Sequence, residues 1–226
     1  MTIIRPGQRV VHVPGLGVRT SRRAVSVSAP AGNWWEAGSA TGCVAAYQPK
    51  GAASLAASYS NLANPGTYDA APGVAPTWDA TNGWIFSGSQ YLTTGSAPIA
   101  HTYTVAVVFT GAPSAVQVIF GYFGALTFRI IPNRLTNGVG YGQTYVAPGL
   151  AAGVLVLAGQ NGYRNGSLDT AAANVGSGTF ADPYIAAQNQ GGPAAYYAGN
   201  IQALGIWNNV LDGTKAAAVS TAMAAL

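Results

Sequence analysis

The segment most informative about the fold lies in the last quarter of the chain and reads Gly199-Asn200-Ile201-Gln202-Ala203-Leu204-Gly205-Ile206-Trp207-Asn208-Asn209-Val210-Leu211-Asp212. Apolar or small residues recur at every second position from Ile201 to Trp207, which predicts a β-strand over 200–207. Upstream, Asn165-Gly166 stands between two short extended runs, which predicts a hairpin with a two-residue turn. Both signals indicate antiparallel β-structure.

Similar short extended segments recur along the chain, separated by glycine and proline. The predicted strands are 83–86, 90–93, 101–110, 115–122, 125–131, 134–141, 151–158, 161–164 and 200–207. Many short strands at this spacing predict a sandwich or barrel rather than βαβ units. We also predict one to two helical turns within 51–62 and a helix that begins after Asp212, runs to Leu226 and carries Val219, Met223 and Leu226 on one face.

Three motifs follow one another in a recognisable order. Trp78 to Leu92 has the pattern W-x-x-x-x-G-x-x-F-x-G-x-x-x-L, 101–109 is a long apolar strand, and 199–211 reads G-x-I-x-x-x-x-I-W-N-x-x-L. Together they resemble the concanavalin A-like lectin and laminin G-like jelly rolls over residues 43–226. The resemblance implies an all-β, two-sheet antiparallel jelly-roll sandwich and a binding function rather than chemistry. The first forty residues do not match, and we expect residues 1–42 to form a basic extended arm and a linker.

Charge is scarce in this chain and unevenly distributed. Charged residues make up 7% of the sequence, against about 25% in an ordinary globular domain. The first 35 residues hold no acid and five of the ten basic residues, which are Arg5, Arg9, Arg19, Arg22 and Arg23. We expect residues 1–30 to dock on a neighbouring subunit or on capsid or tail proteins, by β-addition at 10–13 or 24–27 and with the arginines against acidic groups. Arginines this sparse do not predict binding to nucleic acid.

The acidic residues are too far apart in the sequence to predict a glycosidase. Retaining hydrolysis needs two carboxyl groups about 5 Å apart, which alternate positions on one strand supply, whereas the closest acids, Asp69 and Asp79, are ten positions apart. Zinc, phosphate-loop and serine-nucleophile motifs are missing as well. We therefore expect no catalytic residues and no cofactor. A calcium ion is the alternative, and its isolated candidate ligands are Asp69, Asp79 with Asn82, and Asp169 with Asn165.

Aromatic residues are the candidate binding groups. The pairs Trp34-Trp35 and Tyr196-Tyr197 are adjacent, so in an extended chain one member of each pair faces outward, and two more tyrosines lie in a Gly-rich loop. Because aromatic rings can stack on sugars, the candidate glycan-binding residues are Trp34, Trp35, Tyr141, Tyr145, Tyr196 and Tyr197. Subunit contact or local packing is the alternative for them. The residues predicted to be core are Trp78, Trp84, Trp207, Phe86, Phe109, Phe128 and the single cysteine, Cys43.

These observations leave three functional hypotheses. The first is a non-enzymatic, homo-oligomeric virion protein, such as a bacteriophage head decoration or tail protein with a lectin-like domain. The basic arm, the low charge and a start at Met1 without the plan of a signal peptide favour it. The second is a glycan-binding module of a secreted or cell-surface protein, which is compatible with the first because a virion lectin can bind host glycans. The third, an enzyme, is disfavoured by the scattered acids. The sequence has no run of about 18 apolar residues, so no membrane span is predicted. We expect a virion location or, alternatively, an extracellular one.

Overall fold

Two β-sheets packed face to face form most of the described part of the chain, as a computed structural model shows. The structure describes residues 33–95, 97, 99–111, 117–124, 126–132, 134–139, 144–146, 150–171, 178–180 and 182–226. The chain divides into two units, Met1–Pro30 and Ala31–Leu226, and every feature below belongs to the second unit, which also contains the predicted domain start at Cys43. The predicted arm, residues 1–30, lies outside the described residues, so its docking stays a prediction.

The described elements comprise short helices and many short strands, numbered here in chain order. The helices are α1 Glu36–Ser39, α2 Leu55–Ser58 and α3 Gly213–Ala224. The strands are β1 Cys43–Tyr47, β2 Ala71–Val74, β3 Thr77–Asp79, β4 Gly83–Ser87, β5 Tyr91–Thr93, β6 Ile99–Ala100, β7 Thr104–Thr110, β8 Phe120–Phe123, β9 Leu126–Ile131, β10 Arg134–Val139, β11 Thr144–Val146, β12 Ala152–Ala158, β13 Asn161–Arg164, β14 Ser167–Ala171, β15 Thr179–Phe180, β16 Tyr184–Ile185, β17 Gln188–Asn189, β18 Pro193–Ala194 and β19 Ala198–Trp207.

Eight strands form the first sheet, sheet A, nine form the second, sheet B, and the remaining two, β6 and β15, form a separate antiparallel pair. Sheet A has the order β14-β13-β12-β7-β19-β4-β3. Strand β4 pairs with the N-terminal part of β19, and β1 pairs with the C-terminal part along the same edge. Sheet B has the order β11-β10-β9-β8-β16-β5-β2, with β17 running parallel to β8 and β18 paired to β17. The pairings described for sheet A are antiparallel. The predicted all-β, two-sheet antiparallel sandwich is confirmed.

The strand predicted over 200–207 and the hairpin predicted at Asn165-Gly166 are both confirmed. Strand β19 covers the predicted segment and begins two residues earlier, at Ala198. The Asn165-Gly166 turn joins β13 to β14, and both residues have positive φ, 49° and 85°. A two-residue hairpin turn with positive φ at both positions is the type that matches the twist of the flanking strands, and Asn-Gly adopts it readily. The strand predicted over 101–110 begins at Thr104, because the two residues before Tyr103 form a turn.

Strand β7 shows how the sandwich is filled. Val105, Val107 and Phe109 join the core between the sheets, where Trp84, Phe86 and Phe128 are also buried and Trp78 packs at the margin. Ala106 and Val108 point to the other face of sheet A and join a second apolar cluster. Because both faces of β7 are covered, its sequence reads as a nearly continuous apolar run rather than an alternating one.

Helix α3 covers the outer face of sheet A. Its first turn is capped by Asp212, whose Oδ1 accepts a hydrogen bond from the Lys215 N–H at 2.9 Å. Val219 and Met223 are buried against the sheet, and Leu226 packs at the edge of the same cluster. This confirms the predicted short helix on the outside of the sandwich. Among the described residues, no helix is long and apolar enough to cross a membrane.

Cys43 begins β1 and is buried, as predicted for a small apolar residue. Its thiol donates to the Ala45 carbonyl oxygen at 3.4 Å. Burial raises the pKa of the thiol to about 12, because its effect outweighs that of the backbone hydrogen bonds, which lower the pKa. The thiol is therefore protonated and unreactive at neutral pH.

Candidate functional site

Three of the six predicted glycan-binding residues lie inside the molecule. Trp34 and Trp35, 5% and 8% exposed, pack in the cluster beneath α3, and the Trp34 ring centroid lies 6.3 Å from that of Trp207. Tyr197 is fully buried, and its hydroxyl donates to the Thr110 carbonyl oxygen at 2.8 Å. In this conformation a glycan would not reach these rings.

The other three residues have different positions. Tyr145 belongs to β11 through its backbone, and Tyr141 lies outside the described residues, so the roles predicted for both stay predictions. The five arginines of the predicted arm also lie outside the described residues. Tyr196 is half-buried on the outer face of sheet B. Among the predicted glycan-binding residues whose side chains the structure describes, Tyr196 is therefore the one that is not buried.

Three tyrosines meet on the outer face of sheet B, and we call them the tyrosine patch: Tyr91, Tyr184 and Tyr196. Leu92 and Ile185 pair across β5 and β16 and are buried between the sheets, so the preceding tyrosines point the opposite way. The ring centroid of Tyr91 lies 4.8 Å from that of Tyr184 and 6.3 Å from that of Tyr196. These distances are typical of interacting aromatic rings.

Sequence reasoning found only one member of the patch. Tyr196 was a candidate because it is adjacent to Tyr197, but Tyr91 and Tyr184 were not singled out. Each of them precedes a buried aliphatic residue, and this alternation is the signal that could have identified them. For Tyr184 the signal is weak, because β16 is only two residues long.

Gly73 in the edge strand β2 sets the position of the Tyr91 ring. The ladder between β2 and β5 is irregular at this point, where the pairing shifts between Pro72 and Val74. A Cβ atom on Gly73 would fall on ring carbons of Tyr91 and within 2.5 Å of its hydroxyl oxygen. The ring therefore lies flat over the glycine backbone, which is possible because no side chain intervenes.

A chain of polar side chains adjoins the patch on the same face. Gly121 is paired with Tyr184 on one side and with Arg129 on the other, and it also pairs with Gln188. Arg129 Nη1 donates to Gln188 Oε1 at 3.2 Å, and Gln188 Nε2 donates to Gln190 Oε1 at 2.8 Å. Arg129 and Gln188 are 8% and 5% exposed, whereas Gln190 is exposed. The chain leads from a buried guanidinium to an amide at the surface.

The patch has a negative charge at its margin. Burial raises the pKa of the Tyr184 hydroxyl above its usual value, and the neighbouring Tyr91 and Asp182 raise it further. Tyr184 is therefore an uncharged phenol at neutral pH, able to donate or accept hydrogen bonds. Arg129 lies on the opposite side of Gly121 from Tyr184, and its guanidinium carbon is 4.6 Å from the Phe123 ring centroid.

Asp79, a candidate calcium ligand, closes a turn. Its Oδ1 accepts from the backbone N–H groups of Thr81 and Asn82 at 2.8 and 2.7 Å, and its Oδ2 accepts from Asn82 Nδ2 at 2.8 Å. The side-chain hydrogen bond from Asn82 is the largest of the effects that lower the pKa of this carboxyl. The carboxylate thus serves as a local turn acceptor.

The other two candidate calcium ligands are also engaged locally. Asp69 Oδ1 accepts from the N–H groups of Asn61 and Gly66 at 2.7 and 3.3 Å. Asp169 forms a salt bridge with Arg164 at 3.4 Å. In the part of the chain that the structure describes, no three His, Cys, Asp or Glu side chains are grouped so that they could hold a metal ion.

The chain matches no protein-family model and no curated protein. It is similar to solved structures, among them domain 4 of an extracellular arabinanase from Geobacillus stearothermophilus in complex with arabinotriose. That likeness has a TM-score of 0.59 and 12% sequence identity, and covers 79% of this chain and 98% of that domain. A mutant of Trypanosoma rangeli sialidase with trans-sialidase activity gives 0.55 and 16%, covering 81% of this chain and 33% of the sialidase.

The sialidase in complex with sialic acid gives a TM-score of 0.54 at 15% identity, covering 82% of this chain and 33% of that one. The chain therefore spans about a third of the length of these sialidases. At such low identities the likeness shows the fold alone. The fold is one shared with β-sandwich domains of proteins that bind or process carbohydrates.

Proposed function

We propose that this chain is a carbohydrate-binding β-sandwich protein that performs no catalysis and serves as a structural component of a virion. The tyrosine patch is the single observation that carries the binding role. It places three phenol rings on one sheet face beside a chain of amides that ends at Gln190. Aromatic faces contact the C–H groups of sugars, and amides bond with their hydroxyls. The arabinanase domain in complex with arabinotriose, whose fold this chain shares, supports the same role.

The distribution of the acids supports binding without hydrolysis. Most glycosidases need two carboxyl groups on either side of the scissile bond. Near the tyrosine patch, Asp182 is the carboxylate whose charge raises the pKa of the Tyr184 hydroxyl. The other acids that could hydrolyse a glycan are held in turns, in a helix cap or in side-chain hydrogen bonds, and they are Glu36, Asp69, Asp79, Asp169 and Asp212.

The sequence supports the virion role. A surface with few charges suits burial against neighbouring subunits, and the five arginines within residues 1–30 suit docking on an acidic partner. The alternative, a glycan-binding module of a secreted or cell-surface protein, has the same sandwich and the same patch. Immunogold electron microscopy of particles from the source organism distinguishes the two, because labelling of a capsid or tail at regular positions is expected only for the first.

Carbohydrate binding is tested by affinity electrophoresis of the purified protein in gels that contain polysaccharides, with reducing-sugar release measured on the same panel. We expect retarded migration in at least one gel, no release of sugar, and weaker retardation for Tyr91→Ala. The control variant Leu168→Ala changes an exposed side chain on sheet A and should migrate as the unmodified protein does. Failure to bind any polysaccharide would refute the binding role. Turnover that is lost on mutating one of the six acids would refute the absence of catalysis.

A further inference from the structure

The Tyr91 ring is held ready for stacking before any ligand arrives. One ring face lies on the backbone of Gly73 in the edge strand β2, so the opposite face is turned away from the sheet. Tyr184 and Tyr196 flank it with ring centroids at 4.8 and 6.3 Å. A ring that is already fixed loses little conformational freedom on binding, which favours affinity. The face of an aromatic ring is the negative part of its quadrupole and attracts the weakly positive C–H groups of a sugar ring.

The charges near the patch disfavour an anionic ligand. Asp182 lies two residues before Tyr184 in the chain, and its carboxylate would repel the carboxylate of an acidic sugar. Arg129 is buried and holds Gln188 and the Phe123 ring. A ligand carboxylate would have to displace these contacts to pair with the guanidinium.

Arg134 begins β10, three strands away from β16 in sheet B, and the other described cations belong to or adjoin sheet A or the helix that covers it. Arg164 is in β13 and pairs with Asp169, and Lys215 is in the first turn of α3. The backbone of Lys50 is bonded to Gln202 in β19. None of Arg164, Lys215 and Lys50 therefore belongs to the sheet that carries the tyrosine patch.

We propose that the tyrosine patch binds an uncharged saccharide, with the C–H face of one sugar ring stacked on Tyr91, and that it excludes sugars that carry a carboxylate. The exposed amide of Gln190 and the phenol hydroxyls of Tyr184 and Tyr196 bond with the sugar hydroxyls. Gly73 is the positioning residue, since any side chain there moves the Tyr91 ring. This inference rests on the proposed carbohydrate binding and names the class of ligand.

The test is isothermal titration of the full chain with neutral and acidic probes. The neutral probes are cellohexaose, β-1,4-galactan, arabinan and dextran. The acidic probes are C6-oxidised cellulose oligosaccharides, polygalacturonate and polysialic acid. Gly73→Ala tests the positioning role, because Gly73 has no positive φ that would strain alanine. Gly192→Ala is the matched control, because its Cβ would meet nothing within 4 Å.

We expect at least one neutral probe to bind, and Tyr91→Ala and Gly73→Ala each to weaken its affinity about tenfold or more. Gly192→Ala should stay within about twofold of the unmodified protein. Thermal unfolding of each variant checks that the sandwich is intact, and a destabilised Gly73→Ala leaves Tyr91→Ala as the deciding variant. Tighter binding of an acidic probe, or neutral binding that Tyr91→Ala does not change, overturns this inference while carbohydrate binding stands. Binding of no probe overturns both.

Discussion

The Asn61 side chain makes the hydrogen bonds that a neighbouring strand would otherwise make with the free edge of β1. We expect its removal to destabilise the protein strongly. The side chain is fully buried. Its Oδ1 accepts from the Ala46 N–H at 2.9 Å, and its Nδ2 donates to the Val44 carbonyl oxygen at 2.8 Å. Alternate residues of a strand direct these backbone groups to one edge, so a single carboxamide satisfies both. A further bond from Nδ2 to the Thr67 carbonyl oxygen, at 2.7 Å, ties the loop before β2 to the same point.

The substitution Asn61→Ala leaves the Ala46 N–H and the Val44 carbonyl without these partners. A buried polar group that loses its hydrogen bond costs about 1–3 kcal/mol, so two such groups lower the free energy of unfolding by roughly 2–6 kcal/mol. Groups in the exposed loop can turn to water and add little. For a domain of this size, about 3 kcal/mol corresponds to a fall of roughly 6–12 °C in Tm. Such a loss is a large part of the 5–15 kcal/mol that usually stabilises a domain.

The assay is urea unfolding followed by tryptophan fluorescence, with thermal unfolding by circular dichroism alongside. Asn64→Ala is the matched control, because Asn64 is an exposed asparagine of the same loop. It should change the free energy of unfolding by less than about 0.5 kcal/mol. A loss below about 1 kcal/mol for Asn61→Ala, or equal losses for the two variants, would show that β1 does not depend on this carboxamide.

Three further predictions follow from single side chains. Because burial raises the pKa of Cys43 to about 12, we expect a maleimide at pH 8 to label the folded protein only after urea is added; rapid labelling without urea would contradict the burial. Replacing the cap of α3, Asp212→Ala, should lower the free energy of unfolding by about 1 kcal/mol, and Lys215→Ala in the same turn, which keeps the cap, should cost less. The pKa of Asp79 is lowered in the folded state, so its contribution to stability is present above its unfolded value of 3.8 and lost as the pH falls through the lower folded pKa. A carboxyl carbon NMR titration should give a midpoint below 3.8 for Asp79 in the folded protein, and a midpoint at or above it would count against the turn hydrogen bonds.

Local chemistry in the sequence was enough to predict the class of fold. The alternation in 200–207 and the Asn165-Gly166 turn depend on residues a few positions apart, so they could be read directly. The helix after Asp212 was predictable for the same reason, because a cap and an apolar face are both local patterns. The short helix α1 was not predicted. It follows Trp34 and Trp35, which lie in a turn rather than an extended chain, and both indoles therefore point inward.

The binding surface was decided by tertiary structure. Tyr91 and Tyr184 are far apart in the sequence, and they meet only because β16 pairs with β5. Tyr196 joins them because the chain returns to that face after β18. The neighbour that fixes the Tyr91 ring, Gly73, belongs to yet another strand. The order of strands in a sheet depends on long-range packing that no local pattern specifies, so the sequence determined that these segments are strands, while only the folded sandwich determined which side chains share a face.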